Sequence, residues 1–171
     1  MQLHIDGSSD GDKLPEAFAF GVKSAEGNVS LGENRNPALR WEDAPENTAS
    51  FVLICVDTDV PTSGEKVNKE GMTVPADLPR GRFYHWAMVD IPPNCTRIEE
   101  GACSDGVTAG GKQDPDGPAG SRQGRNDYTD WFAGDQQMGG TYLGYDGACP
   151  PWNDERVHHY HFVVYATDLE R

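Results

Sequence analysis

Residues 144–168 read GYDGACPPWNDERVHHYHFVVYATD, and this run decides the fold. Its first half is a kinked loop, with Gly144, Gly147, Pro150 and Pro151 close together. Proline fixes φ and has no N–H, so Pro150-Pro151 cannot lie inside a central strand or a helix. A polar turn follows over residues 152–156. Residues 157–166 are then rich in aromatic and β-branched side chains, which is a strand signal. Alternation puts His158, Tyr160, Phe162, Val164 and Ala166 on one face, and His159, His161, Val163 and Tyr165 on the other. Two polar rings, His158 and Tyr160, therefore head an otherwise apolar face. The pattern is that of a strand whose entrance lines a pocket and whose remainder lines the core.

Working outward, residues 49–56 (ASFVLICV) form a continuous apolar run of strand length, expected to be buried on both faces. They lead into Asp57-Thr58-Asp59-Val60-Pro61. Residues 83–91 (FYHWAMVDI) are the next strand, stopped by Pro92-Pro93. Period-two alternation places His85, Ala87, Val89 and Ile91 on one face, and Trp86, Met88 and Asp90 on the other. Residues 17–22 are a further short strand candidate, and Leu39 and Trp41 are expected to dock on the core. Residues 1–13 read as a weakly ordered lead-in, and residues 94–143 as a long Gly- and Asp-rich segment of the kind that often carries function. Short strands with turn punctuation and few helical periods predict a mainly β chain, an antiparallel sheet or sandwich, in one domain over residues 1–171.

The chain carries 14 Lys and Arg against 28 Asp and Glu, a formal net charge of −14. An acidic surface disfavours nucleic acid and stable association with anionic membranes, since both depend on Lys and Arg. No apolar run is long enough for a membrane span, and the N-terminus lacks the basic start and apolar core of a signal peptide. A cytoplasmic location is the expectation. Cys55, Cys95, Cys103 and Cys149 show no CxxC spacing. Cys95 and Cys103 flank a loop and would pair only if oxidised.

The chemistry-bearing residues sit at strand ends. Asp57 lies one residue past the apolar run, His85 heads its strand, and His158 and Tyr160 head theirs. Each alone reads as a turn residue or a hydrogen-bonded core ring. Together they present convergent polar groups in an apolar surround, the description of a small-ligand pocket. A set of two His and one carboxylate from Asp57, His85 and His158 would suit a metal-dependent or hydrolytic enzyme. No HExxH, no closely spaced cysteines and no GxSxG accompany it, so no metal or other cofactor is expected.

These residues carry a resemblance. The run from Asp57 to Pro61 is similar to a DPDAP signature, and Phe83-Tyr84-His85-Trp86 to the His-containing strand that follows it. Residues 144–151 with His158-His159-Tyr160 are similar to GxGPxPP followed by HRY, and residues 36–41 (NPALRW) to SPxLxW. In order and spacing the chain resembles the phosphatidylethanolamine-binding protein (PEBP) family, in its bacterial and archaeal Raf-kinase-inhibitor-like branch, from about Phe18 to Asp168. It departs from the signatures at Thr58, Val60, Ala148 and His159.

The resemblance implies a β-sandwich with a large central antiparallel sheet, a smaller sheet and short peripheral helices. It implies a non-enzymatic protein with a small anion pocket for phosphate- or phosphoethanolamine-type groups. Asp57, His85, His158 and Tyr160 match the family's pocket residues, and Asp59, Pro61, Gly147 and Pro151 match the residues that shape it. A kinase, protease or other protein partner and a homodimer are implied in the same way, with residues 101–143 a candidate contact surface. Relatives continue beyond the position of Arg171 with a helix and a last strand, which this sequence does not carry. In the resulting expectation, Asp57 accepts a hydrogen bond from His85 and orients it. The opposite ring N–H, the Tyr160 hydroxyl and backbone N–H groups around Gly147 then meet the anion. Among the three neighbouring histidines, His158 is the one expected at the ligand.

Overall fold

The computed structural model describes residues 1–170. Nine strands dominate: β1 (Gln2–Ile5), β2 (Gly21–Lys23), β3 (Val29–Leu31), β4 (Leu39–Glu42), β5 (Ser50–Pro61), β6 (Arg80–Ile91), β7 (Arg97–Ile98), β8 (Arg122–Gln123) and β9 (Tyr160–Thr167). The helical elements are a four-residue α1 (Tyr128–Trp131) and two 3-10 turns, Glu16–Phe18 and Pro118–Gly120. All strand pairings within the three sheets are antiparallel, with orders β8-β6-β5-β9, β1-β4-β7 and β2-β3.

The core lies between the four-stranded and the three-stranded sheet. β5 contributes Phe51, Leu53 and Cys55, β6 contributes Trp86, Met88 and Ile91, and β9 contributes Val164. Leu39 and Trp41 of β4 and Ile98 of β7 close it from the other side, as the apolar pattern of residues 36–41 predicts. Burying each such side chain stabilises the fold by about 1.5–3 kcal/mol. A second aromatic cluster, Phe20, Tyr128 and Tyr142 with Phe83 and Phe132 against it, flanks the strand ends.

Four expectations need correction. Gln2–Ile5 are not a loose lead-in: they pair along β4, with Leu3 and Ile5 packed on the core. Residues 17–22 are not one strand, because Pro15 fixes φ and starts a 3-10 turn, and β2 begins only at Gly21. β5 is not buried on both faces: Phe51, Leu53, Cys55, Asp57 and Asp59 are buried, while Val52, Ile54, Val56 and Thr58 are only half-buried.

The fourth correction positions the site. The period-two partition of residues 83–91 fails because β6 slips register against β5. Tyr84 pairs with Val56 and Trp86 with Cys55, which leaves His85 as the extra residue of a β-bulge. A second slip falls between Met88 and Ile91, where Asp90 takes φ +58°. Consequently His85 and Trp86 are both buried, Ala87 is half-buried and Val89 is exposed. In β9 the alternation holds: Phe162, Val164 and Ala166 pack on the core and Tyr165 is exposed.

Candidate functional site

Three strands bring the polar groups together, but not at their ends as expected: Asp57 lies within β5 and His85 within β6, while Tyr160 opens β9 and His158 precedes it. Asp57 of β5 stands opposite Tyr160 of β9 on one side and Phe83 of β6 on the other. Asp57 is 2% exposed and His85 3%. The His85 ring stands 5.3 Å from the Tyr160 ring, 4.9 Å from Phe83 and 5.5 Å from Tyr128, centroid to centroid. His85 therefore sits in an aromatic wall, placed there by the bulge.

Asp57 does not orient His85. The His85 Nδ1–H donates to the backbone carbonyl of Asp146 at 2.8 Å, and the Asp146 N–H donates back to the His85 carbonyl at 3.0 Å. A carbonyl can only accept, so the neutral ring carries its proton on Nδ1 and presents Nε2 as a bare acceptor. Burial pushes the His85 pKa below its ordinary value, against the opposing pull of the Asp146 carbonyl and the Asp57 charge.

The Asp146 side chain explains why that carbonyl stays in place. Its carboxylate accepts from Asn34 Nδ2 at 2.8 Å, Asn126 Nδ2 at 2.8 Å and Lys112 Nζ at 2.9 Å, all inside the protein. Asn34 also accepts the Gly147 N–H at 2.8 Å, so this amide is not free to meet an anion. The Gly147 carbonyl accepts from the Tyr128 hydroxyl at 2.7 Å. Gly147 has to be glycine: a Cβ there would lie 1.9 Å from the Phe18 carbonyl oxygen.

His158 is the partner of Asp57, and it is tied at both ends. Its Nδ1 donates to Asp57 Oδ2 at 2.6 Å and its Nε2 to Asp154 Oδ2 at 3.1 Å, with the ring 1% exposed. Burial opposes the imidazolium, but the hydrogen bonds and charges of the two carboxylates outweigh it and raise its pKa. Asp154 is in turn held by Arg80, at 2.6 and 3.0 Å. The remaining Arg80 donors go to the carbonyls of Asp59, Pro75 and Leu78, so all five are used. The expectation that His158 offers a free N–H to a ligand is thus overturned: with two carboxylates flanking it, neither ring nitrogen is free.

Around this chain of groups lie the shaping residues. Asp59 is buried. It accepts from the His159 backbone N–H at 3.0 Å and His159 Nδ1 at 2.7 Å, and pairs with Arg156 at 2.7 Å. Burial resists its ionisation, but the His159 hydrogen bonds and Arg156 prevail and lower its pKa. Pro61 closes β5 opposite Arg80. Pro151 opens the turn in which the Asp154 N–H returns to the Pro151 carbonyl at 3.1 Å.

One polar atom of the predicted set is left over. The Tyr160 hydroxyl is buried with the Asp57 carboxylate nearby but no partner in hydrogen-bonding geometry. Burial first, and the nearby Asp57 charge second, raise its pKa well above the ordinary tyrosine value. A buried unpaired hydroxyl costs about 1–3 kcal/mol, so this atom has a reason to meet a ligand.

The structure brings together Asp57, His85, His158 and Tyr160, but in pairs the sequence did not assign. It adds Asp146, Asn34, Asn126 and Lys112 behind His85, and Asp154 and Arg80 behind His158. Asp57, His85 and His158 do not present a common ligand set, because His85 is aimed by a carbonyl and His158 is occupied on both sides. Among the described residues, no group of three or more His, Cys, Asp and Glu side chains is arranged to hold a metal ion. Cys55, Cys95, Cys103 and Cys149 are all free thiols. No helix among the described residues is long and apolar enough to cross a membrane.

Comparison with known proteins gives a consistent result. The family model described as phosphatidylethanolamine-binding protein matches residues 5–171. The UPF0098 protein YbhB of Escherichia coli is 32% identical over 171 residues, covering 100% of this chain and 80% of YbhB. YbcL of the same organism is 30% identical over 161 residues, covering 94% of this chain and 65% of YbcL. The crystal structure of YbcL, described as a member of the mammalian PEBP family, matches with a TM-score of 0.65 at 28% identity, over 99% of this chain and 78% of that one.

Proposed function

This chain belongs to the phosphatidylethanolamine-binding protein family, and on that premise we propose that it is a non-catalytic binding protein whose pocket holds a small phosphorylated group. His85 and Tyr160 meet the ligand. Asp57, His158, Asp154 and Arg80 form the rigid floor, and the Asp146 loop fixes the His85 ring. The ligand is of headgroup size, in keeping with an acidic surface that disfavours stable bilayer docking. Binding regulates a kinase, protease or other protein partner, with residues 101–143 as contact surface, in the cytoplasm and with the four thiols reduced.

The observation that carries the reading is the buried, unpartnered Tyr160 hydroxyl 5.3 Å, ring to ring, from His85, whose Nδ1–H is spent on Asp146 and whose Nε2 remains as an acceptor. Two unspent polar atoms in an aromatic wall make a small polar site. Calorimetric titration with phosphoethanolamine tests it. Saturable binding that weakens at least about tenfold in Tyr160→Phe, with folding unchanged, is the expected result for loss of one buried hydrogen bond. No binding by the folded wild-type chain would refute the reading.

A further inference from the structure

The following rests on the pocket reading above and specifies the ligand form that such a pocket takes. We propose that the site accepts a small oxyacid only while it retains one acidic proton, as the monoanion of a phosphate monoester does, and rejects an oxyanion of the same size and charge that has none.

The inference comes from counting donors. His85 spends its only proton on the Asp146 carbonyl, so the atom it has left, Nε2, accepts. His158 spends both of its protons on Asp57 and Asp154. The Gly147 N–H is spent on Asn34, and the Asp59 N–H on Asp57 Oδ1 at 2.8 Å. Among the described residues, the Tyr160 hydroxyl is the donor left without a hydrogen-bond partner on this wall, with the Asp57 carboxylate nearby. A ligand that satisfies the pair must give a hydrogen bond to His85 Nε2 and receive one from Tyr160. The P–OH of a monoanionic phosphate monoester gives the first, and one of its unprotonated oxygens receives the second.

Charge points the same way. Two carboxylates, Asp57 and Asp154, are matched by the His158 imidazolium and the Arg80 guanidinium. Asp59 is matched by Arg156. No unspent cation on this floor is available for a second negative charge. The groups facing His85 are Asp57 from β5, Tyr160 from β9, Tyr128 from α1 and Asp146 from the loop, its carboxylate balanced by Lys112. A dianion would set its lone pairs against the Nε2 lone pair beside the Asp57 carboxylate. That arrangement leaves two buried acceptors facing each other.

Methyl phosphate and methyl sulfate separate the possibilities, because below the second phosphate ionisation both are monoanions and they differ by one proton. The full chain is titrated calorimetrically with each at about pH 5 and about pH 8, on either side of a second ionisation near about 6. The expected result at about pH 5 is methyl phosphate binding at least about tenfold tighter than methyl sulfate, as follows when a site's acceptor is left unpaired. Methyl phosphate affinity then falls at least about tenfold by about pH 8, while methyl sulfate stays uniformly weak. Tyr160→Phe, which removes a buried hydroxyl without a hydrogen-bond partner, weakens methyl phosphate without lowering the thermal midpoint of the free protein.

Equal binding of the two esters would overturn the proposal, and so would methyl phosphate affinity that ignores pH. Methyl sulfate binding that strengthens in parallel as pH falls would also overturn it, by making a protonated His85 the donor. Binding of phosphoethanolamine without methyl phosphate would do the same, since the amine would then be what is recognised. Failure of all three probes would remove the pocket reading itself, and the proton requirement with it.

Discussion

His158 Nδ1 donates to Asp57 Oδ2 at 2.6 Å, joining β5 to the segment that leads into β9 through a ring that is 1% exposed. The same ring reaches Asp154 on its far side, so it stands between two carboxylates as an imidazolium. It is a structural cation of the pocket floor. In the proposed pocket the ligand-facing role falls to His85, which the β6 bulge turns inward.

Removing His158 should therefore damage the fold. His158→Ala leaves the Asp57 and Asp154 carboxylates buried with one fewer partner each. Breaking a buried pair from one side costs about 3–5 kcal/mol. Urea denaturation should show a lowered midpoint with an unchanged slope. A variant as stable as the parent would show that the ring is dispensable to the floor.

The two buried histidines give opposite pH dependences. The folded-state pKa of His158 is raised above the unfolded value of about 6.5. Its stabilisation is complete below that value and is lost as pH rises through the raised pKa. His85 is depressed, so its contribution is complete above about 6.5 and is lost as pH falls from there toward the folded pKa. Thermal midpoints measured across this range should decline on the alkaline side in the parent. His158→Gln should abolish that decline and keep the acid-side loss.

Gly147→Ala should destabilise the chain by about 1–3 kcal/mol, the usual range for overpacking, because its Cβ would meet the Phe18 carbonyl oxygen at 1.9 Å. The strain should spread to the Asn34 contact at the Gly147 N–H and the Tyr128 contact at its carbonyl. Denaturation, together with amide exchange over residues 144–148, reads both effects.

Lys112 lies far from the pocket in sequence and supports it through Asp146. Lys112→Met removes the only charged donor of that carboxylate and leaves the Asn34 and Asn126 amides. A loss of about 1.5–3 kcal/mol is expected for a charged hydrogen bond, together with weaker phosphoethanolamine binding as the Asp146 carbonyl loses its fixed position. Unchanged binding and stability would separate Lys112 from the site.

Much of this was legible from the chain. The apolar runs at 49–56 and 157–166 marked β5 and β9, although β5 runs on to Pro61 and β9 starts only at Tyr160, and the signature residues marked the family and the four polar groups. What stayed hidden depends on register and loop geometry. A β-bulge has no period, so alternation put Ala87 and Val89 with His85, while the slipped strand put Trp86 and Met88 in the core. Asp154 falls in the polar 152–156 turn and Arg80 is not singled out, because nothing in sequence spacing brings a residue of that turn against the start of β6. Asp146 acts on His85 through its main chain, and a carbonyl leaves no trace in residue type. His158 is singled out as the ligand histidine, but it precedes β9, and its contact with two carboxylates depends on how the 152–159 segment folds back.

The most direct test is a long-range proton–nitrogen NMR spectrum of the histidine rings, recorded with and without phosphoethanolamine. In the free protein the account predicts His85 protonated on Nδ1 alone and His158 protonated on both nitrogens. On titration His85 Nε2 should shift saturably from a bare acceptor toward a hydrogen-bonded one, while the His158 nitrogens stay where they are. Movement of His158 with a silent His85 would contradict the account.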